Sequence, residues 1–131
     1  MSIYLGVDYG RKHIGLAIAD GPLASPLGTV SGENESAAIS KIVGMAAAHE
    51  VEGIVVGCPE GVLEAVVKRF ANDLASRAPC PVMLHPETLS TKEALAALRA
   101  VGAKRKKLQN DHVYAACLIL EDYLETKNVV N

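Results

Sequence analysis

The sequence predicts a three-layer α/β domain, a mixed central sheet with helices on both faces, and three observations predict it. Two apolar-rich runs, IYLGVDY (residues 3–9) and IGLAIAD (residues 14–20), flank the polar turn GRKH, which is the pattern of a β-hairpin. GIVVGCP (residues 53–59) is a short continuous apolar run ended by Gly and Pro, as expected of a strand buried on both faces. Beyond the hairpin, strand-like segments alternate with segments of helical period, the order of a sheet covered by crossover helices.

Each element has its own signal. In the hairpin, Gly10 can supply the positive φ that such a turn often needs. PLASPLGTVSG places prolines and glycines around a third strand near Leu27 to Val30. Asn34 to Glu50 reads as a helix, with Ile39, Ile42, Val43 and Ala46 on one face. Val62 to Arg77 reads as a second, with Val62, Val66, Phe70 and Leu74 at every fourth residue. PVMLHPE is a strand that Pro86 weakens toward its end. LSTKEALAALRAVG then carries a capping box, Ser90 with Glu93, and a terminating Gly102. The basic run Lys104, Arg105, Lys106, Lys107 follows in a loop, and a last helix opens near Asn110 or Asp111 and buries Val113, Cys117, Leu120 and Leu124.

Composition narrows the function. The 131 residues are enough for one domain and one core, 50% of them hydrophobic and 21% charged, which is ordinary for a globular chain. No basic and apolar leader opens the sequence and no apolar run is long enough for a bilayer, so the expectation is a soluble, cytoplasmic protein with no membrane partner. Cys58, Cys80 and Cys117 lack metal spacing, which suggests buried thiols in a reducing compartment. His13, His49 and His85 show no zinc spacing either. With a net charge of −2, a nucleic acid would have to be held by a local basic patch. Four Tyr, one Phe and no Trp argue against a broad base-stacking platform.

The chemistry gathers around Asp8, a carboxylate at the end of a greasy strand, on the face shared with Tyr4 and Gly6. In such sheets, sites form beyond the carboxyl ends of the strands. If the first strand and PVMLHPE are parallel neighbours, Asp8 meets Glu87, and the start of the last helix, with Asp111 and His112, adds a third ligand. Carboxylates gathered this way need a cation, and the hard ions Mg²⁺ and Mn²⁺ favour oxygen ligands. Their usual use is a pair of ions that activates water and stabilises the leaving oxygen of a phosphodiester. The basic loop before the last helix would hold the phosphate backbone, a contact without sequence information. Each residue alone also has an ordinary reading. Asp8 fits a turn former, Asp111 an N-cap, His112 a solvated first-turn residue, and the basic run a solvated loop.

The motifs carry more than their spacing. VDYGRKHIGLAIAD, with Asp8, Gly10, Lys12, Ile14, Gly15, Ala17 and Asp20, resembles the opening strand pair of the YqgF/RuvX family, Holliday-junction-resolvase-like proteins also described as pre-16S rRNA nucleases. IVVGCP, LHPETLSTKEA and AACLILEDYL resemble further family segments, in the right order and over nearly the whole chain. The resemblance implies a single RNase H-like domain over residues 1–131 and a Mg²⁺- or Mn²⁺-dependent nuclease. By carry-over, Asp8 and Glu87 match the first two acidic residues of the family site. The position of the third falls on His112, beside Asp111. A His ligand would favour Mn²⁺. Pro86 stands where the family has Asp and Thr88 where it has Arg, and the loop after IVVGCP is shortened, keeping only Glu60-Gly61 of the family pattern.

The expected activity is therefore hydrolysis of structured nucleic acid, with Asp8, Glu87, Asp111 and His112 as metal-binding catalytic residues and Lys12 and Lys104 to Lys107 on the backbone. The resemblance favours maturation of the 5′ end of 16S ribosomal RNA, with pre-ribosomal particles as partners, over cleavage of branched DNA. Symmetric junction cutting would require a dimer. Two alternatives stay open: a family member that has lost catalysis and binds nucleic acid, and, ranked last, an actin-like ATPase.

Overall fold

In a computed structural model, which describes residues 2–87 and 111–129, the chain forms a five-stranded mixed sheet between two helical layers. The strands are β1 (Ile3–Asp8), β2 (His13–Asp20), β3 (Ala24–Ser31), β4 (Gly53–Cys58) and β5 (Val82–Pro86). The helices are α1 (Glu35–Ala48), α2 (Glu64–Arg77) and α3 (Asp111–Val129). The spatial order is β3-β2-β1-β4-β5. The first three strands are antiparallel, and β1, β4 and β5 run parallel.

Alternation along the strands sorts the core into two layers. Leu5 and Val7 of β1, Ile14 and Leu16 of β2, and Ile54 and Val56 of β4 point toward α1 and α2, where Ile42, Phe70 and Leu74 are fully buried. Tyr4, Ala17, Ala19 and Val55 point the other way, against Ala116, Ile119 and Leu120 of α3. The residues facing α3 are small, so the helix lies close to the sheet. At Gly15 a side chain is excluded: an added Cβ would stand 2.0 Å from the backbone carbon of His112.

Several expectations are corrected. β1 and β5 are not neighbours, because β4 lies between them. The reason is visible in composition: β4 is apolar throughout and takes the covered inner position, whereas β5, with Leu84 exposed, takes the edge. α2 begins at Glu64, and Val62 is 90% exposed in the preceding loop, after Gly61 at φ 98°. A spacing of four drifts off one face of a 3.6-residue helix, and the buried stripe is Val67, Phe70, Ala71 and Leu74. Gly10 is not among the positive-φ glycines; an added Cβ there would meet the His112 ring at 2.7 Å, so space is what this position requires. The three thiols are half-buried rather than buried, and burial pushes Cys117 up to about 11. The third strand is longer than expected, while Asn34 caps α1 as a side-chain acceptor for the Ala37 amide at 3.0 Å. The expected helix over residues 89–102 and the basic run at 104–107 lie outside the described residues. Among the described residues, no helix is long and apolar enough to cross a membrane.

Gly15→Ala should destabilise the fold by about 1–3 kcal/mol, because its methyl group meets backbone that cannot rotate away. Phe70→Ala should cost about 3–5 kcal/mol through the cavity it leaves in the other layer. Urea unfolding of the two variants checks both values.

Candidate active site

The parallel strands end on one side of the molecule, and α3 begins there. β1 ends in Asp8, which lies on the α3 face as the alternation with Tyr4 and Gly6 requires, opposite Gly15 in the register with β2. Because Gly15 lets the first turn of α3 descend onto the sheet, His112 reaches Asp8: its Nδ1 lies 2.6 Å from the Asp8 Oδ2. Asp8 is only 7% exposed and Asp111 only 8%. They are the buried charged residues among those described. A helix N-terminus carries partial positive charge, which favours carboxylates at this end of α3.

Glu87 arrives by a different route. Its backbone amide donates to the Cys58 carbonyl at 3.0 Å, so the residue after β5 is tied to the end of β4. An added Cβ at Gly57 would stand 3.5 Å from the Glu87 Cγ, which puts the glutamate chain on the α3 side of the sheet. The expected adjacency of β1 and β5 was wrong, yet Glu87 still reaches the Asp8 end. The charge of Glu87 acts on His112, which bonds Asp8.

Electrostatics link the four. The hydrogen bond to Asp8 raises the His112 pKa above its usual value; burial opposes this, and the charges of Asp8, Asp111 and Glu87 add to it. The ring therefore binds its proton more tightly than a free imidazole. His112 is half-buried and bonded, not the solvated residue of the ordinary reading, and Asp111 is the first residue of α3 rather than the residue before it. Lys12 is exposed in the β1–β2 turn, and its carbonyl accepts from the Gly32 amide. The other predicted backbone contacts, Lys104 to Lys107, lie outside the described residues.

A divalent ion can be tested against this donor set. Three carboxylates and one imidazole are the hard-oxygen-rich set that suits Mg²⁺ or Mn²⁺. Among the described residues, however, no three His, Cys, Asp or Glu side chains form a ready metal-holding group. The residues fit the ion in the kind of donor they offer.

Beside this end, sequence reasoning missed Tyr9. Tyr9 follows Asp8 and therefore points to the opposite face, where its ring packs on Phe70 at 4.8 Å between centroids. Period-two alternation of the strand could have revealed it.

The Asp8–His112 bond has a definite pH dependence. Because the folded His112 binds its proton more tightly than the unfolded chain, the contribution is complete below about pH 6.5. It is lost as pH rises through the higher folded value. In EDTA, His112→Gln should therefore lower urea stability more at pH 6 than at pH 9.

Comparison with known proteins completes the picture. Residues 2–126 match the family profile described as "RuvX: Holliday junction resolvase". A Rickettsia canadensis (strain McKiel) protein named "Putative pre-16S rRNA nuclease" is 35% identical over 131 residues, covering 93% of this chain and 85% of the relative. A protein of the same name from Chloroflexus aurantiacus (strain ATCC 29366 / DSM 635 / J-10-fl) is 38% identical over 135 residues, covering 95% and 88%. Among solved structures, T. thermophilus RuvC in complex with Holliday junction substrate superposes with a TM-score of 0.63 at 15% identity, covering 97% of each chain. The Fowlpox virus resolvase in complex with Holliday junction DNA gives 0.61 at 11% identity, covering 95% of this chain and 97% of that one. At such identities the likeness concerns the fold, which is RNase H-like. A profile match over nearly the whole chain, with relatives more than a third identical across it, shows that this chain belongs to the RuvX family.

Proposed function

We propose that the protein is a divalent-metal-dependent nuclease that hydrolyses phosphodiester bonds of structured RNA, in maturation of the 5′ end of 16S ribosomal RNA. The observation that carries this reading is the burial of Asp8 and Asp111 at the end of the sheet where Glu87 and His112 also lie. Ionisable side chains gathered at one end of a sheet are characteristic of functional sites. The names of the Rickettsia and Chloroflexus relatives support ribosomal RNA as substrate. Pre-ribosomal particles in the cytoplasm are the setting that this substrate requires.

Asp8, Glu87, Asp111 and His112 would hold the metal. Bound there, Mg²⁺ or Mn²⁺ supplies an activated water and charge stabilisation at the leaving oxygen. The chain's own residues do the rest. β1 and its two neighbours hold Asp8 in place, so that its carboxylate needs no ordering when a substrate arrives. The first turn of α3, seated on Gly15, fixes Asp111 and His112 relative to it. His112 can keep a proton at Nδ1 against the Asp8 oxygen, limiting the repulsion that three carboxylates would otherwise impose on one another. Lys12, exposed beside this end, offers a cation to the phosphate backbone.

Purified protein with Mn²⁺ should trim a 16S precursor fragment, and Asp8→Asn should reduce that activity to background while leaving the thermal unfolding transition cooperative. Cutting by Asp8→Asn at the wild-type rate would remove Asp8 from the site. Mn²⁺ titration calorimetry accompanies the assay. Heat of binding in the wild type, lost in Asp8→Asn, is expected; RNA binding without metal binding or cleavage would identify a member that has lost catalysis. Cleavage of a four-way DNA junction in preference to RNA would shift the substrate to DNA.

A further inference from the structure

Four of the five aromatic residues are used inside the fold. Tyr4 pairs with Tyr123 at 6.0 Å between centroids, and Tyr9 with Phe70 at 4.8 Å. Tyr114 differs: it is 37% exposed, and among the described residues its ring has no aromatic or cationic partner. It stands three residues beyond Asp111 on α3, and residues so spaced are neighbours on a helix surface, about 5–6 Å apart at Cβ. A flat ring is therefore held in the open one helical turn from a buried carboxylate of the candidate site.

Beside that ring lies a cavity of about 250 Å³, lined by Val113 and Tyr114 of α3 and by Pro26, Leu27 and Gly28 of β3. Its origin is a bulge. Gly28 pairs with Leu16 and Pro26 with Ala17, so Leu27 is the extra residue, and it packs against the core layer under α1 and α2. Gly28, at φ 136°, offers no side chain, and a Cβ there would meet nothing within 4 Å. The space between β3 and the start of α3 consequently stays open. Asp8, Gly15 and Thr29 lie in one row across β1, β2 and β3. At about 4.8 Å per strand, Thr29 is about 10 Å from Asp8, with Gly28 next to it. A nucleic-acid strand covers that distance in about three nucleotides at a rise of about 3.4 Å each.

We infer that this cavity takes one unpaired nucleobase of the substrate strand, stacked on the Tyr114 ring, with Pro26, Leu27 and Val113 as its apolar wall. The inference rests on the nuclease reading and adds to it a single-stranded segment beside the cut. Every base has a flat face, so an exposed aromatic ring stacks on it whatever the sequence. The volume lies below the roughly 300 Å³ at which sites for drug-sized ligands begin, which suits one ring system and excludes a whole nucleotide cofactor. The strand whose phosphate sits at Asp8 itself delivers the base, since the cavity continues from that end of the sheet. One exposed ring among five aromatics makes a place for one base, not the broad platform that the composition excludes.

The test is binding without cutting. Fluorescence anisotropy in EDTA, over a series of salt concentrations, measures affinity for a labelled blunt RNA hairpin and for the same hairpin with single-stranded extensions. Tyr114→Leu should weaken binding of the extended hairpin about 5- to 150-fold, the loss of one stacked base, and leave the blunt hairpin unaffected. Tyr114→Phe keeps the ring and should bind as the wild type does. The slope of log K against log salt should be the same in all three proteins, because no phosphate contact is lost. Tyr114 is exposed, so a cooperative thermal transition is expected in both variants. Equal affinity of Tyr114→Leu and wild type for the extended hairpin overturns the base pocket and leaves the nuclease reading standing. Equal weakening on both hairpins, or a loss in Tyr114→Phe as large as in Tyr114→Leu, does the same. A wild-type dimer that Tyr114→Leu dissociates in the ultracentrifuge would give this face to a second copy and overturn the pocket too. Failure of the wild type to bind either hairpin at low salt overturns both readings.

Discussion

The close descent of α3 onto the β1–β2 pair is the constraint on which the rest depends. The helix supplies one whole layer of the core through Ala115, Ala116, Ile119 and Leu120, and its first turn supplies half of the candidate site. Both roles require the backbone of His112 to lie where a side chain at residue 15 would otherwise stand. A glycine in a strand interior weakens the strand by itself, and here that weakness is offset by the contact it permits. Stability and site geometry are therefore not separable at this position.

The electrostatics follow from the same packing. Asp8 comes from the centre of the sheet, Asp111 from a helix start, and Glu87 from the end of an edge strand. Their elements are held by apolar contacts on two faces, so the core brings these residues to one end of the sheet. The Asp8 bond raises the His112 pKa, burial opposes it, and the charges of Asp8, Asp111 and Glu87 add to the rise. The far end of the same helix is tied down independently. The Glu121 carboxylate accepts from the Ala24 amide at 2.8 Å, His85 and Asp122 lie 2.6 Å apart, and Lys127 meets the Tyr4 hydroxyl. With both ends held, α3 presents its first turn in one position.

The departures from the family pattern acquire a physical meaning in this frame. Counting along the sequence makes Asp111 and His112 compete for one role, since a single position is being aligned. In three dimensions both stand at the Asp8 end, Asp111 buried and His112 bonded through its ring to Asp8.

Local pattern determined much of this protein. The hairpin, the buried β4 run, the two middle helices and the face on which Asp8 lies could all be read from the sequence. Each depends on periodicity within a few residues, or on a single turn or cap such as Asn34. The opening and closing motifs also identified the family. Tertiary structure alone decided the strand order, with β4 rather than β5 beside β1, and so how Glu87 is tied to the end of β4. It decided that Gly10 and Gly15 serve as space for His112, not as turn conformers. Such facts depend on which surfaces exclude water together, and no window of neighbouring residues contains that information.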